Sequence, residues 1–187
     1  MPRGKSGSVR GDHDLNPGME PAAGATPAAV LIPLIDRPGG VTVLFTRRAA
    51  HLDHHPGQIS FPGGRLEPAD NGPEDTALRE TREEIGLDPQ RVRLMGGLDL
   101  YHTRTGFLIT PFVGALIPPL DLVADPFEVA EIFEAPLDFF LDPANHKRHS
   151  REYEGRTRWF HAMPYGEYYI WGATAGMLMN LYELTKK

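Results

Sequence analysis

The chain has 187 residues, of which 41% are hydrophobic, and it carries a formal net charge of −6. This length and composition suit one globular domain with its own core. The absence of cysteine excludes disulfides and thiolate metal sites, the negative charge disfavours a general nucleic-acid binder, and no apolar run approaches the ~20 residues of a membrane span.

The first 26 residues are rich in Gly, Pro and Ala and contain almost no large apolar side chains. This composition predicts a disordered leader over residues 1–26, followed by a single domain over residues 27–187. The leader has no apolar stretch typical of a secretory signal, so a cytoplasmic protein is the default expectation.

Strands and helices alternate along the rest of the chain. Apolar and β-branched runs bounded by Gly, Pro or Asp predict strands over residues 28–36, 41–47, 59–61, 92–101, 106–117, 128–133, 147–153 and 158–163. Helices are predicted over residues 73–85, 136–140 and 173–184, the first beginning at Pro73 and stopping at Gly86. Strands outnumber helices and separate the two long ones. This order predicts an α/β sandwich with a mixed β-sheet between helices.

The helix over residues 73–85 carries three glutamates, Glu80, Glu83 and Glu84, within five positions. At ~100° per residue they gather on one side of the helix, and Leu78 and Ile85 form an apolar side opposite them. Like charges at this spacing repel by roughly a few tenths of a kcal/mol per pair. A divalent cation would offset that repulsion, and oxygen ligands suit Mg²⁺ or Mn²⁺. A solvated acidic helix face is the alternative.

Two neighbouring features fit a cation site. Gly63 and Gly64 form a glycine loop whose backbone carbonyls are further oxygen ligands. Arg79 lies four residues before Glu83 and is expected to orient a glutamate through a charge-assisted hydrogen bond.

The stretch from Gly64 to Leu87 resembles the Nudix box, whose pattern is G-x5-E-x7-R-E-U-x-E-E-x-G-U, with U a bulky aliphatic residue. Residues 79–87, RETREEIGL, match its second half, with Thr81 in the aliphatic position. The first half departs from the pattern, because Asp70 stands at the first Glu position and the gap to Arg79 is one residue longer. The departure puts the role of the first acidic position in doubt and leaves the second half intact.

The resemblance implies a Nudix-type α/β/α sandwich that hydrolyses a diphosphate with Mg²⁺ or Mn²⁺, by attack of water on phosphorus. It places the metal ligands on Glu80 and Glu84, with Glu83 as a third ligand and the Gly64 carbonyl completing the set. Glu80 and Glu83 are both candidates for the general base, and the sequence does not separate base from ligand. Related Nudix enzymes often recruit an acid from a late loop, which makes Glu128 a candidate for the general base or an extra ligand.

Residues 44–49 (LFTRRA) and 57–64 (GQISFPGG) are similar to the signature of coenzyme A pyrophosphatases within the Nudix superfamily. The similarity continues through residues 110–114 (TPFVG), 128–129 (EV) and 171–176 (WGATAG). It implies cleavage of coenzyme A to 3′,5′-ADP and 4′-phosphopantetheine, with a small molecule as the partner and neither nucleic acid nor a membrane. The oligomeric state is left open.

The cations just upstream of the glycine pair are candidates for substrate binding. Arg47 and Arg48 are expected to contact substrate phosphates, with solvated loop charge as the alternative, and Gly63 and Gly64 are the other substrate-binding positions. Two further functions remain open at this point. One is a diphosphatase for ADP-ribose, another nucleoside diphosphate derivative or a diadenosine polyphosphate. The other is a catalytically silent Nudix domain that binds a nucleotide.

Overall fold

The computed structural model describes residues 9–19, 24–52 and 55–186. Its strands are β1 (Arg10–Gly11), β2 (Thr26–Arg37), β3 (Gly40–Arg48), β4 (Ile59–Ser60), β5 (Gly63–Arg65), β6 (Val92–Gly97), β7 (Tyr101–His102), β8 (Phe107–Leu116), β9 (Val129–Pro136), β10 (Lys147–Tyr153), β11 (Arg156–Tyr165) and β12 (Tyr168–Trp171). Its α-helices are α1 (Pro73–Ile85), α2 (Leu137–Leu141) and α3 (Ala173–Thr185), and 3-10 helices cover Asp12–Leu15, Pro89–Arg91 and Pro143–Asn145.

β2 lies at the centre of the larger sheet. It runs parallel to β8 along ten residue pairs and antiparallel to β3. The sheet continues from β8 through β7 to β1, and from β3 to β4, while β5, β6 and β9 pair with β2, β8 and β3 respectively. Parallel and antiparallel pairs therefore occur in one mixed sheet, which confirms the predicted sheet type.

Successive residues of β2 face two different cores, because side chains alternate across a strand. Ala29 and Leu31 share a core with Ile85 of α1. Val30 and Ile32 lie in a second core with the apolar side of α3. A strand that is buried on both faces has an uninterrupted apolar sequence, and residues 28–32, AAVLI, are such a run.

The smaller sheet packs with α2 and α3 on the face of β2 opposite α1. Its strands β10, β11 and β12 are antiparallel, and Met163 of β11, Ile170 of β12 and Phe140 of α2 belong to the same core as α3. Helices therefore cover both faces of the mixed sheet, and the predicted α/β sandwich is confirmed. No helix in the described part of the chain is long and apolar enough to span a lipid bilayer.

Residues 10–15 are folded, although they lie within the segment predicted to be a disordered leader. β1 runs parallel to β7, and the Asp12 carboxylate accepts hydrogen bonds from the Tyr101 hydroxyl at 2.9 Å and from Arg158 at 3.0 Å. The prediction of disorder does not hold here because polar contacts, and not large apolar side chains, attach this segment. Residues 1–8 and 20–23 of the predicted leader lie outside the described residues.

Besides β1, two strands were not predicted, β5 and β12. The glycine pair, expected to be a loop, lies in β5 and pairs antiparallel with β2. β12 has the sequence Tyr-Tyr-Ile-Trp, an aromatic and β-branched run that was an available signal for a strand.

Candidate active site

α1 has the predicted ends but a rotated core face. Pro73 is its first residue, and Gly86 ends it in a left-handed conformation with φ of 69°. The face turned to the sheet is formed by Ala77, Thr81 and Ile85, which are fully or almost fully buried. The small side chains of Ala77 and Thr81 let the helix approach β2 closely, and of the predicted apolar pair Leu78 and Ile85 only Ile85 is buried.

The rotation separates the three glutamates. Glu84 is buried, with only 6% of its surface exposed, whereas the Glu83 side chain is 53% exposed. Glu80 lies between these extremes at 16%. The carboxylates therefore do not form the solvated acidic face that was the alternative to a cation site. Burial increases from Glu83 at the surface, through Glu80, to Glu84 beside the sheet.

β5 carries the glycine pair against both β2 and Glu80. Gly63 pairs with Val30, and a Cβ atom at position 63 would lie 2.6 Å from the Val30 Cα atom. A Cβ atom at position 64 would collide with the Glu80 carboxylate. The approach at position 63 requires glycine because the obstacle is backbone, whereas at position 64 the obstacle is the flexible end of the Glu80 side chain. The backbone of Gly64 therefore lies beside Glu80.

Arg79 holds the acidic groups together. Its Nη1 atom lies 2.9 Å from the Glu80 carboxylate and 2.9 Å from that of Glu83. Its Nε and Nη2 atoms donate to the two carboxylate oxygens of Asp70 at 2.9 and 3.0 Å, and Nη2 also donates to the Arg65 carbonyl at 3.1 Å. These bonds raise the pKa of Arg79 above its ordinary value, so the guanidinium is a fixed cation among three carboxylates.

Asp70 is the residue whose role the sequence left unassigned. Its side chain is 3% exposed, and besides Arg79 it accepts hydrogen bonds from the Thr76 hydroxyl at 2.8 Å and the Glu67 amide at 2.9 Å. The hydrogen bonds from Arg79 have the largest effect and hold the pKa of the Asp70 carboxyl well below its ordinary range. The longer loop before α1 thus lets a carboxylate shorter than Glu make a two-oxygen contact with Arg79.

Glu84 is in an environment that disfavours its charge. Burial first, and then the charges of Glu80 and Glu128, raise its pKa to about 8, while Arg48 and the Gly63 amide act in the opposite sense. Its Oε2 atom is buried and has no hydrogen-bond partner. Burial also raises the pKa of Glu80, with Arg79 opposing it. A buried carboxylate oxygen without a partner is costly unless a cation or a donor is supplied.

These features fit a hard divalent cation. Carboxylate oxygens of Glu80 and Glu84 and the backbone beside Gly64 are the ligand type that Mg²⁺ and Mn²⁺ prefer, and a cation would relieve the repulsion that raises the pKa of Glu84. In the part of the chain that the structure describes, no three His, Cys, Asp or Glu side chains already form a group that could hold an ion. Glu80 and Glu83 are instead paired with Arg79.

Of the other predicted residues, Arg47 and Arg48 lie at the end of β3, and Glu128 precedes β9 beside it. Glu128 is exposed, its carbonyl accepts the Ala49 amide at 2.8 Å, and its charge acts on both Glu80 and Glu84. Arg48 also acts on Glu84. Arg47 contacts a different set of residues. Its Nε atom lies 3.3 Å from Glu131, and its guanidinium lies 5.1 Å from the centre of the Tyr168 ring.

The chain matches known proteins over most of its length. The family model of the NUDIX domain matches residues 25–161. The chain is 40% identical over 154 residues to a Nudix hydrolase, NudL, of Photorhabdus laumondii, with 82% of each chain covered. It is 39% identical over 161 residues to NudL of Enterobacter sp. strain 638, covering 82% of this chain and 80% of that one.

A solved structure shares the fold. The Nudix hydrolase RenU from M. smegmatis superimposes with a TM-score of 0.56 at 20% identity, over 88% of this chain and 89% of RenU. The glutamate helix, the strand-borne glycine pair and the matched family model lead to one conclusion: the chain belongs to the Nudix hydrolase family.

Proposed function

We propose that this Nudix hydrolase cleaves the diphosphate of coenzyme A or its derivatives, giving 3′,5′-ADP and 4′-phosphopantetheine. The observation that carries the proposal is the way the segments similar to the coenzyme A pyrophosphatase signature adjoin. The Arg48 amide donates to the Gln58 carbonyl at 3.0 Å and the Gly57 amide to the Arg48 carbonyl at 3.2 Å, which joins LFTRRA to GQISFPGG. The Thr174 hydroxyl of WGATAG donates to the Ile59 carbonyl at 3.0 Å.

These segments end at the acidic site. GQISFPGG leads directly into the glycine pair that lies against Glu80, and the end of β3 carries Arg48 and contacts Glu128 through the Ala49 amide. A diphosphate placed beside the glutamates would therefore have the signature residues as its neighbours. Arg48 is the better placed of the two arginines to contact a phosphate, because its charge acts on Glu84, whereas Arg47 lies against Glu131 and Tyr168.

Each acidic residue has a proposed task. Glu80, Glu83 and Glu84 and the Gly64 carbonyl would hold Mg²⁺ or Mn²⁺. When bound, the cation neutralises diphosphate oxygens and lowers the pKa of water. Arg79 orients Glu80 and Glu83 through the contacts described above. Glu128 is exposed beside Glu80 and Glu84 and is a candidate to accept a proton from water, alongside Glu80 and Glu83.

Product analysis by mass spectrometry tests the proposal. In three separate reactions, the protein and Mg²⁺ are incubated with coenzyme A, with dephospho-coenzyme A or with ADP-ribose. We expect 3′,5′-ADP and 4′-phosphopantetheine from coenzyme A, at a rate higher than that of the other two reactions. A faster reaction with ADP-ribose would assign the substrate class instead to nucleoside diphosphate sugars, and binding of coenzyme A without any product would identify a silent domain.

A further inference from the structure

β10 is an edge strand of unusual exposure. All seven of its residues, Lys147 to Tyr153, are exposed. Among the described residues, β10 pairs with β11 on one side and with no strand on the other. An edge strand of this length has a row of backbone donors and acceptors available for a further strand.

The contacts of Trp159 show which residues of β10 face outward. Ser150 lies opposite Trp159 in the ladder. The Trp159 amide donates to the Asn16 side chain at 2.8 Å, and its carbonyl accepts from the same side chain at 2.9 Å. Both groups therefore point away from β10, so Ser150 and Trp159 are a non-hydrogen-bonded pair. The N–H and C=O of Ser150 must then point to the open edge, as must those of Arg148 and Glu152, two residues away on either side.

We propose that this edge binds the same edge of a second copy of the chain, antiparallel and about a two-fold axis at Ser150. In this register Ser150 pairs with Ser150 of the second copy, and Arg148 pairs with Glu152 of the second copy on each side of the axis. All three are hydrogen-bonded pairs, in which the two residues exchange two hydrogen bonds, so the interface would contain about six. A two-fold interface is self-complementary, as homodimers require.

The charges of the strand fit this register. Arg148 and Glu152 share one face of the sheet and, across the axis, each meets the opposite charge of the second copy, which gives two Arg148–Glu152 pairs in all. Both keep capacity for a further partner. Arg148 lies over the Trp159 ring, with its carbon Cζ 4.7 Å from the ring centre, and a guanidinium has five N–H donors. Glu152 accepts one hydrogen bond, from Thr157 at 2.6 Å. On the other face His149 meets Arg151, which adds no opposite charge, so the Arg148–Glu152 pairs carry the complementarity.

The competing registers are less favourable. A slip of one strand by a single residue would set inward-pointing backbone groups against the second copy, because successive residues alternate between the two edges. A shift of the axis by one residue, to His149 or Arg151, still pairs outward-pointing groups, but it leaves two hydrogen-bonded pairs within β10 in place of three and no Arg148–Glu152 pair. A shift by two residues along the strand, to Arg148, would place Arg148 against itself and leave Glu152 outside the ladder. The edge therefore specifies one pairing of two copies by both hydrogen bonding and charge.

The test measures mass in solution and uses the full chain. Sedimentation from about 1 to about 200 µM spans micromolar dissociation constants, and we expect a dimer at the upper end. Ser150→Pro removes only an outward N–H, so it should leave the β10–β11 ladder intact and abolish the dimer. Ser150→Thr keeps the N–H and is the matched control, which should dimerise as the original chain does.

A charge exchange separates this register from other dimers. Arg148→Glu and Glu152→Arg should each weaken dimerisation by placing like charges together, and the double variant should restore it. Circular dichroism of every variant checks that the monomer is folded. A monomer at all concentrations, or a dimer unaffected by Ser150→Pro and by the single charge changes, would overturn the proposal. Because the edge is separate from the acidic site, hydrolysis by Ser150→Pro should equal that of the original chain under either outcome.

Discussion

Glu84 is buried where an isolated carboxylate is unstable. Its effect on the stability of the fold can therefore be distinguished from its proposed role in the acidic site. Glu80 and Glu128 add like charges to the effect of burial on the pKa of Glu84. The free energy of the folded chain is therefore higher with a charged Glu84 than with an uncharged side chain of the same shape. The burial of Glu84 therefore lowers the stability of the fold, which is in keeping with its proposed role as a metal ligand.

Glu84→Gln should accordingly change activity and stability in opposite directions. We expect about a 100- to 1,000-fold lower kcat, because stabilisation of charge by a bound cation contributes several kcal/mol and 1.36 kcal/mol corresponds to a factor of ten. In protein treated with a chelator, the same variant should unfold at a higher temperature than the original chain. Steady-state kinetics and thermal unfolding measure the two effects. Glu80→Gln is the companion variant for activity. If either variant turned over as fast as the original chain at saturating Mg²⁺, the metal assignment would be contradicted.

Asp70 acts on the site through Arg79. Asp70→Asn keeps the size of the side chain but removes the charge that both Nε and Nη2 of Arg79 contact. We expect kcat/KM to fall about 10- to 100-fold, the range typical of residues that orient metal ligands, with a higher Mg²⁺ concentration needed for half-maximal rate. Asp75→Asn is the matched control, since Asp75, in the first turn of α1, accepts its hydrogen bonds from Asn71. Equal losses in the two variants would show that Asp70 has a merely structural role.

At the scale of secondary structure, β5 and α3 each depend on a glycine that lets two elements approach closely. A Cβ atom at Gly64 would meet the flexible end of Glu80, whereas one at Gly176 in α3 would meet the ring and hydroxyl of Tyr101. The first obstacle can move within the site. The second cannot, because Tyr101 is 4% exposed and its hydroxyl donates to Asp12.

Alanine at these two positions should therefore have different consequences. Gly64→Ala should keep the fold and lower kcat at least about tenfold, because Glu80 must leave its place beside the strand. Gly176→Ala should cost about 1–3 kcal/mol of unfolding free energy, the usual range for overpacking a core, with kcat of the folded fraction unchanged. Urea unfolding and active-site-normalised kinetics measure both. A loss of stability without a loss of kcat in Gly64→Ala would contradict the placement of Glu80.

The sequence predicted elements better than it predicted the orientation of side chains. Local signals were sufficient for α1, whose ends are marked by Pro73 and Gly86. The burial of Glu84 was not predictable from a helical wheel, since it depends on how closely Ala77 and Thr81 let the helix approach β2. Thr81, which stands in an aliphatic position of the motif, is buried with its hydroxyl bonded to the Ala77 carbonyl at 2.6 Å. That local bond satisfies a polar group without a tertiary partner.

At the scale of the whole molecule, the N-terminal segment joins parts that are distant in sequence. Asp12 accepts the Tyr101 hydroxyl from β7, the Arg104 amide from the turn before β8 at 3.0 Å, and the Arg158 guanidinium from β11. Arg10 pairs with Glu183 of α3 at 2.7 Å. These long-range polar contacts have no periodic signature, so the sequence of this segment, which is rich in Gly and Pro, predicts disorder instead.

Asp12→Ala should destabilise the molecule as a whole. The Asp12 and Arg158 side chains are only 18% and 15% exposed, and removing one partner of such a pair leaves the other charge and two donors without an acceptor. We expect a loss of about 2–4 kcal/mol in urea unfolding. Asp14→Ala is the control, because Asp14 contacts Arg10 at the surface and its loss should cost less than about 1 kcal/mol. Indistinguishable unfolding curves for the two variants would refute this role of Asp12.

The pairing of β5 with β2 has a consequence for ligand affinity. Glycine loses more conformational entropy on becoming ordered than any other residue, and in many phosphate-binding loops that loss accompanies ligand binding. Here Gly63 and Gly64 are ordered as part of a sheet whose neighbouring strand is buried on both faces. The entropy of the glycine pair is therefore given up when the chain folds, and it does not subtract from the free energy of binding.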